Sequence, residues 1–141
     1  MRTINEIIIH CSATKEGNKI SAATIDRWHK DRGWRCIGYH YVVRIDGSIE
    51  YGRPVQDIGA HVKGRNKHSI GVCYIGGLDA DMEPKDTRTR DQKESLLYLL
   101  KTLKRLHPDS TIHGHREFAN KACPCFDANK EYCNIWNHLQ I

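Results

Sequence analysis

Two short apolar runs constrain the fold of this chain more than any other feature of its sequence. Residues 6–11 read EIIIHC and residues 69–76 read SIGVCYIG. Both are rich in β-branched residues and show no polar–apolar alternation, which is typical of strands buried on both faces in the middle of a sheet. We therefore expect these two runs to form central strands.

A β-hairpin is predicted between the two central strands. An Asp-Gly pair separates the aromatic and β-branched residues 39–45 from residues 48–51, and such a pair between two strand-like runs is a strong hairpin signal. Strict alternation along the first strand would place Tyr39, Tyr41 and Val43 on one face of the sheet.

Helix signals occupy much of the remaining chain. Ser21 has the position of an N-cap for a first helix. The spacing of Thr89 and Gln92 is that of a capping box, and the leucine-rich helix that follows should stop before Pro108. A last helix is predicted over residues 129–139. Together with a short strand at residues 111–113, these elements predict an α/β fold with a central mixed β-sheet flanked by helices.

The length and net charge of the chain are ordinary for a globular protein. Its 141 residues fit one domain, and we expect a single domain over residues 1–141 and a monomer. The net charge of +5 suits an anionic partner, such as nucleic acid, a membrane surface or bacterial cell wall, without choosing among them. No run is long enough for a secretory signal or a membrane span, so we expect synthesis in the cytoplasm without a signal peptide and no membrane partner.

The six cysteines admit three interpretations. Their even number is compatible with disulfides, but a chain of this length does not need them, and several lie in strand-like runs where a thiol packs as a small apolar group. A structural zinc site is also conceivable, although the Cys123-Pro-Cys125 spacing is tighter than the usual Cys-x-x-Cys pair.

Metal ligands are concentrated in residues 113–127, which read HGHREFANKACPCFD. His113, His115 and Cys123 are ligand types that zinc accepts, and Lys121 places a cation beside them. The residues alone leave open whether His113 or His115 is the ligand. A further ligand must come from elsewhere, and His10 at the end of the first strand is a candidate, although a buried structural histidine is an equally reasonable interpretation.

Four stretches in order along the chain resemble one known family: IIIHCSAT, GYHYVVRIDGSIEYGR, GAHVKGRNKHSIGVCYIGG, and HGHRE with KACPCFD. The chain resembles the zinc-dependent N-acetylmuramoyl-L-alanine amidases of the phage-lysozyme type, whose fold is shared with peptidoglycan recognition proteins. The resemblance implies a hydrolase that cuts the amide between N-acetylmuramic acid and L-alanine in peptidoglycan. It suggests an endolysin of a phage or prophage, acting on the wall after release by a holin, by lysis or by dedicated secretion.

The resemblance also assigns residues to the site. It implies one Zn²⁺ per chain with a water at the fourth position, and it leaves the general base unassigned. His61 and His40, which lie within two of the matching stretches, are assigned to substrate binding. The implied zinc ligands are His10, His115 and Cys123, and the implied catalytic residues are Tyr39 and Lys121.

Three alternative functions are compatible with parts of the sequence. A module of the same fold can bind muropeptide without cleaving it, but loss of the cysteine ligand usually marks that outcome, and Cys123 is present. A cytoplasmic amidase that recycles muropeptides would have the same site. A nucleic-acid-binding domain is disfavoured because the positive charges are scattered and no nucleic-acid-binding motif is present.

Overall fold

The central strand of the sheet is the run that contains His10. In the computed structural model, which describes residues 2–137, this strand pairs in parallel with a neighbour on each side. The strands are β1 (Glu6–Cys11), β2 (Thr14–Lys15), β3 (Tyr41–Val43), β4 (Ile49–Tyr51), β5 (Ser69–Tyr74), β6 (Gly77–Leu78) and β7 (Thr111–Gly114). The α-helices are α1 (Ala22–Asp31), α2 (Arg90–Leu106) and α3 (Ala128–Tyr132), and short 3₁₀ turns cover Asn66–His68, His115–Glu117 and Ile135–Asn137.

The main sheet has the order β4-β3-β5-β1-β7. β1 is parallel to β5 and β7, β3 is parallel to β5, and only β4 is antiparallel to its neighbour. A separate two-stranded sheet joins β2 to β6. The predicted α/β fold with a central mixed sheet is therefore confirmed.

Each face of the sheet is covered by a helix, and alternation along β1 divides the strand between the two. Ile7, Ile9 and Cys11 pack into a large core with the leucines of α2. On the other face, Val42 and Cys73 pack with Ile25 of α1. Because neighbouring side chains on a strand point to opposite faces, His10 lies on the α1 face and Cys11 on the α2 face.

The predicted helix caps are confirmed. The Ser21 side chain accepts a hydrogen bond from the Thr24 backbone N–H at the start of α1. Thr89 and Gln92 form both hydrogen bonds of the capping box at the start of α2, and that helix ends at Leu106, before Pro108. No helix within the described residues is long and apolar enough to cross a membrane.

Two sequence predictions need correction. β3 starts only at Tyr41, so strict alternation does not extend back to Tyr39, which instead packs with Val42 on the α1 face. The last helix is shorter than predicted: α3 covers Ala128–Tyr132, a 3₁₀ turn covers Ile135–Asn137, and the predicted end at residue 139 lies outside the described residues.

A buried arginine fixes the chain segment that follows the metal-ligand stretch. The Arg88 side chain is only 2% exposed, and it donates hydrogen bonds to both carboxylate oxygens of Asp86 and of Glu131 at 2.9 Å. Its guanidinium also lies 3.4 Å from the centre of the Phe126 ring. Partial burial alone would raise the pKa of Asp86 and Glu131, but the hydrogen bonds and charge of Arg88 outweigh it and lower both pKa values.

We expect Arg88→Met to lower the free energy of unfolding by about 2–3 kcal/mol at pH 7, because two partly buried carboxylates lose their partner. The two carboxyls have depressed pKa values in the folded state. Their contribution is therefore complete above their ordinary values of 3.8 and 4.5 and is lost as the pH falls further. Urea unfolding at pH 7 and at pH 3 measures both effects.

Arg90→Met is the matched control, since Arg90 forms an exposed pair with Glu94 one helical turn away. Its effect should stay within about 0.5 kcal/mol. Equal effects of the two substitutions, or an Arg88→Met effect that is as large at pH 3 as at pH 7, would contradict this assignment of the Arg88 network.

Candidate metal centre and active site

Strand register brings two distant histidines together. Parallel pairing of β1 with β7 sets Ile9 opposite Gly114, and the next residue on each strand is a histidine. The ring centres of His10 and His115 consequently lie 4.7 Å apart. His10 is 1% exposed at the carboxyl end of β1, while His115 opens a 3₁₀ turn at the end of β7. Site residues commonly collect at this end of parallel strands.

The loop that carries Cys123 is held against the same strand ends. The Tyr74 hydroxyl donates a buried hydrogen bond of 2.6 Å to the Pro124 carbonyl oxygen. Gly114 allows the loop to come close, because a Cβ there would lie 2.8 Å from the Pro124 ring. The Cys123 sulfur accepts a hydrogen bond from the Cys11 backbone N–H at 3.2 Å. Residues far apart in sequence therefore fix the sulfur beside β1.

Three potential ligand atoms converge at this point. One nitrogen each from His10 and His115 and the sulfur of Cys123 all lie within 4.8 Å of one another. Ligands of a tetrahedral zinc, bound at about 2.0–2.3 Å, are about 3.3–3.8 Å apart, so small side-chain adjustments suffice. Two imidazoles and a thiol are ligands that suit zinc and do not suit magnesium or calcium. A set of three protein ligands is typical of catalytic zinc, which keeps a fourth position for water or substrate.

The charge state of the histidines favours metal binding. Burial lowers the pKa of His10 well below its usual value, and the neighbouring His61, His115 and Lys121 would each repel a positive charge there. Burial and Lys121 also lower the pKa of His115. Both imidazoles are therefore neutral at neutral pH and keep a lone pair for a metal.

His61 supports His10 from the side. Its Nδ1 lies 2.8 Å from His10 Nε2, and its Nε2 lies 3.1 Å from the Ser69 hydroxyl. Asn66 holds the surrounding loop by accepting hydrogen bonds from the backbone N–H groups of His61 and Val62. A histidine that binds a metal usually has its other ring nitrogen fixed by such a partner. His61 also lines the groove described below.

His40 occupies a different environment from the one expected for a substrate-binding residue. It is 1% exposed. Its Nδ1 accepts a hydrogen bond from the Gly71 N–H, and its Nε2 lies 2.9 Å from the Asp57 carbonyl oxygen. The Arg2 guanidinium also lies 3.0 Å from Nε2. With both ring nitrogens occupied in the interior, His40 lies apart from the residues that line the groove described below.

A groove of about 430 Å³ opens beside His115. Lys121 lines it and is exposed. Tyr39 is placed differently: its ring lies 5.0 Å from the His10 ring, and it is not one of the residues that line the groove. Burial raises the pKa of Tyr39 well above its usual value, and the nearby thiols of Cys73, Cys123 and Cys11 contribute in the same direction. Its hydroxyl therefore keeps its proton at neutral pH.

The groove also contains residues that the sequence did not reveal. Trp34 and Phe118 supply aromatic surface, and Lys63 adds a second cation. Trp34, which follows the first helix, is 37% exposed and packs against the His29 ring at 4.5 Å between ring centres. In the sequence, Trp34 is only an aromatic residue that directly follows the predicted helix end, which does not distinguish a groove residue from a packing residue.

His113 and Glu117 support the turn that presents His115. His113 Nδ1 lies 2.8 Å from one Glu117 carboxylate oxygen, and the Gly114 N–H donates a 2.7 Å hydrogen bond to the other. The pair thereby closes the 3₁₀ turn that presents His115. His113 takes no part in the cluster of three ligand atoms, and the Glu117 carboxylate is already occupied on the β7 side.

Comparison with known proteins gives one consistent result. Residues 1–126 match the family described as N-acetylmuramoyl-L-alanine amidase. The chain is 41% identical over 124 residues to the endolysin of Escherichia phage T7, across 88% of this chain and 82% of the relative. It is 40% identical over 126 residues to the endolysin of Enterobacteria phage K11, across 89% of this chain and 83% of that relative. The solved structure of the N-acetylmuramoyl-L-alanine amidase LysC from Clostridium intestinale URNW aligns with a TM-score of 0.78 and 29% identity, covering 95% of this chain and 83% of that one.

We expect the purified protein to bind about one zinc per chain. Replacement of His10, His115 or Cys123 by Ala should abolish stoichiometric binding, because two remaining ligands hold zinc poorly. Inductively coupled plasma mass spectrometry after dialysis measures the metal content. His113→Gln is the matched control and should retain zinc; loss of zinc in that variant with retention in His115→Ala would reverse the assignment.

Proposed function

This chain belongs to the N-acetylmuramoyl-L-alanine amidase family, and from that premise we propose that His10, His115 and Cys123 hold a catalytic zinc ion. The protein is a peptidoglycan amidase of the phage-endolysin type. Its reaction hydrolyses the amide between the lactyl group of N-acetylmuramic acid and L-alanine. The observation that carries the zinc proposal is the convergence of three suitable ligand atoms within 4.8 Å beside an open groove.

When bound, zinc supplies a Lewis acid for the scissile carbonyl and a water that ionises near neutral pH. The protein's own contribution is to hold the ligands in place. His61 fixes His10 through the 2.8 Å ring contact, and the Cys11 N–H fixes the Cys123 sulfur. Such outer partners orient metal ligands and often change affinity or activity by about 10–100-fold when removed.

Lys121 is proposed as the donor that stabilises the oxyanion. Hydrolysis of an amide places negative charge on the carbonyl oxygen in the transition state, and a positioned ammonium group offsets that charge. Two features support this role: Lys121 lines the same groove as His115, and its charge acts on both ligand histidines. Tyr39 is proposed as a second donor beside His10, since its hydroxyl stays protonated.

The groove suits an acidic peptide attached to a sugar. Lys63 and Lys121 provide positive charge for the carboxylates of a peptidoglycan stem peptide, and Trp34 and Phe118 provide flat apolar surface. His61 faces this groove, and we retain it as a substrate contact as well as a partner of His10. We propose that the enzyme meets this substrate in the cell wall after it has been released from the cytoplasm by a holin, by lysis or by dedicated secretion.

A muropeptide-binding module without catalysis is a weaker alternative. That function would not require three neutral or thiol ligands to meet at one point. Here all three are present together, and the lysine that would stabilise the transition state lies in the same groove. The combination favours hydrolysis.

Lys121→Ala should retain zinc and lower kcat by about 10²–10³-fold, because removal of one preorganised oxyanion donor typically costs that much. Turnover on purified muropeptide and metal content are the two measurements. Lys63→Ala removes the same charge from the same groove and should alter KM more than kcat. Similar losses of kcat in both variants would mean that Lys121 acts only through general charge.

Digestion of purified sacculi should release new amino termini on L-alanine and no new reducing sugar ends. Labelling of amino termini and a reducing-sugar assay distinguish the two products. The Cys123→Ala variant serves as the control and should release neither. New reducing ends would indicate glycosidase chemistry and would refute the assignment of the scissile bond.

A further inference from the structure

Two thiols lie next to the proposed metal ligands without belonging to them. Cys11 follows His10 on β1, and Cys125 lies two residues after Cys123. Their sulfur atoms are 4.0 Å apart. Cys11 is 5% exposed, whereas Cys125 is half-buried. The proposed reaction uses neither thiol.

The pair lies on the opposite side of β1 from His10. Because side chains alternate along a strand, Cys11 points into the α2-side core, and Cys125 packs partly against that same core. The metal ligand His10 points to the α1 face. Cys123 packs against the α2-side core as well, and the Cys11 side chain also interacts with that of Cys123. The 4.0 Å contact between the sulfur atoms is therefore what marks Cys125 as the partner of Cys11.

The local backbone leaves room for this contact. A Cβ at residue 77 would lie 2.5 Å from the Cys11 sulfur and 3.7 Å from the Cys125 sulfur, so glycine at this position keeps the space between the two thiols open. Cys125 has φ +72°, a left-handed conformation uncommon for non-glycine residues. In that conformation its sulfur lies 3.3 Å from the Gly77 carbonyl oxygen and faces Cys11.

We propose that Cys11 and Cys125 are an oxidation site that forms an intramolecular disulfide and leaves Cys123 available as a metal ligand. The sulfurs must approach from 4.0 Å to about 2.05 Å, the length of a disulfide bond. The Cys123 sulfur keeps its hydrogen bond from the Cys11 backbone, which oxidation of the Cys11 side chain does not alter.

The oxidant is a small-molecule disulfide, and the step is thiol–disulfide exchange. The Cys125 thiol loses its proton and attacks one sulfur of the oxidant, forming a mixed disulfide and releasing one thiolate, which takes up a proton. The Cys11 thiol then loses its proton and attacks the Cys125 sulfur, and the second thiolate leaves and is protonated in turn. In sum, two protein thiols become a disulfide, and the oxidant is reduced to two thiols.

The bond would connect the central strand to the loop that carries Cys123, closing residues 11–125 into one covalent loop. Cross-links that close long loops remove conformational freedom from the unfolded chain. The linked form should therefore unfold at a higher temperature. It would also hold His10 and Cys123 in their relative positions when the protein leaves a reducing environment.

The test uses the purified full-length chain incubated with oxidised glutathione, with and without added zinc. The protein is then unfolded, alkylated and digested with trypsin. Fragmentation of the linked peptides should show Cys11 joined to Cys125 and an alkylated Cys123. The Tm of the oxidised wild type should rise by about 5 °C or more. Cys125→Ser should show neither the link nor the rise, and Cys133→Ser should show both.

Exposed Cys133 reports whether the oxidant has reacted. A link between Cys11 and Cys123 would overturn the proposal, and so would alkylation of both Cys11 and Cys125 in a sample whose Cys133 is modified. The sparing of Cys123 for zinc rests on the proposed function, whereas the link itself does not. A correct link in a protein that binds no zinc would therefore refute the metal assignment and leave the disulfide intact.

Discussion

Parallel pairing of β1 with its two neighbours is the constraint on which the site depends. The pairing of Ile9 with Gly114 places His10 beside His115, and the pairing of His10 with Cys73 fixes its position in the middle of the sheet. A shift of one residue would turn His10 towards α2 and separate the histidines, because side chains alternate along a strand. The register is held by the apolar residues of β1, which are fully buried between both helices.

The same alternation gives the two faces of β1 different chemistry. On the α1 face, His10 meets His61, Tyr39 and His115, and burial keeps its imidazole neutral. On the α2 face, Cys11 belongs to a core that packs the Cys123 loop from behind. One strand thus orients a metal ligand on one side and anchors the loop of another ligand on the other.

Local patterns in the sequence predicted much of the fold. The continuous apolar runs indicated central strands, and the caps at Ser21 and Thr89 indicated the helix starts, because these signals depend on residues close in the chain. The residues of the site could not be predicted from local patterns alone. Composition flagged His115 and Cys123 but did not distinguish His115 from His113, since that choice depends on the partner strand and on the loop that approaches it.

The differences between expectation and structure have physical causes of the same kind. His40 lies in one of the stretches that resemble the amidase family, and hydrogen bonds with the Gly71 N–H and the Asp57 carbonyl hold its ring in the interior. Tyr39 was assigned to the wrong face because β3 begins two residues later, where pairing with β4 and β5 starts. Trp34 and Phe118 line the same groove only because of tertiary packing, which no local pattern encodes.

The central claim is that one zinc ion is held by two strand-end histidines and a loop cysteine, with a fourth position open to the groove. Anomalous diffraction at the zinc edge, from crystals of the zinc-loaded protein, tests it most directly. The account predicts a single peak bonded to His10, His115 and Cys123 and to no other protein atom. A peak bonded to His113, to Cys11 or to Cys125, or a zinc with four protein ligands, would contradict it.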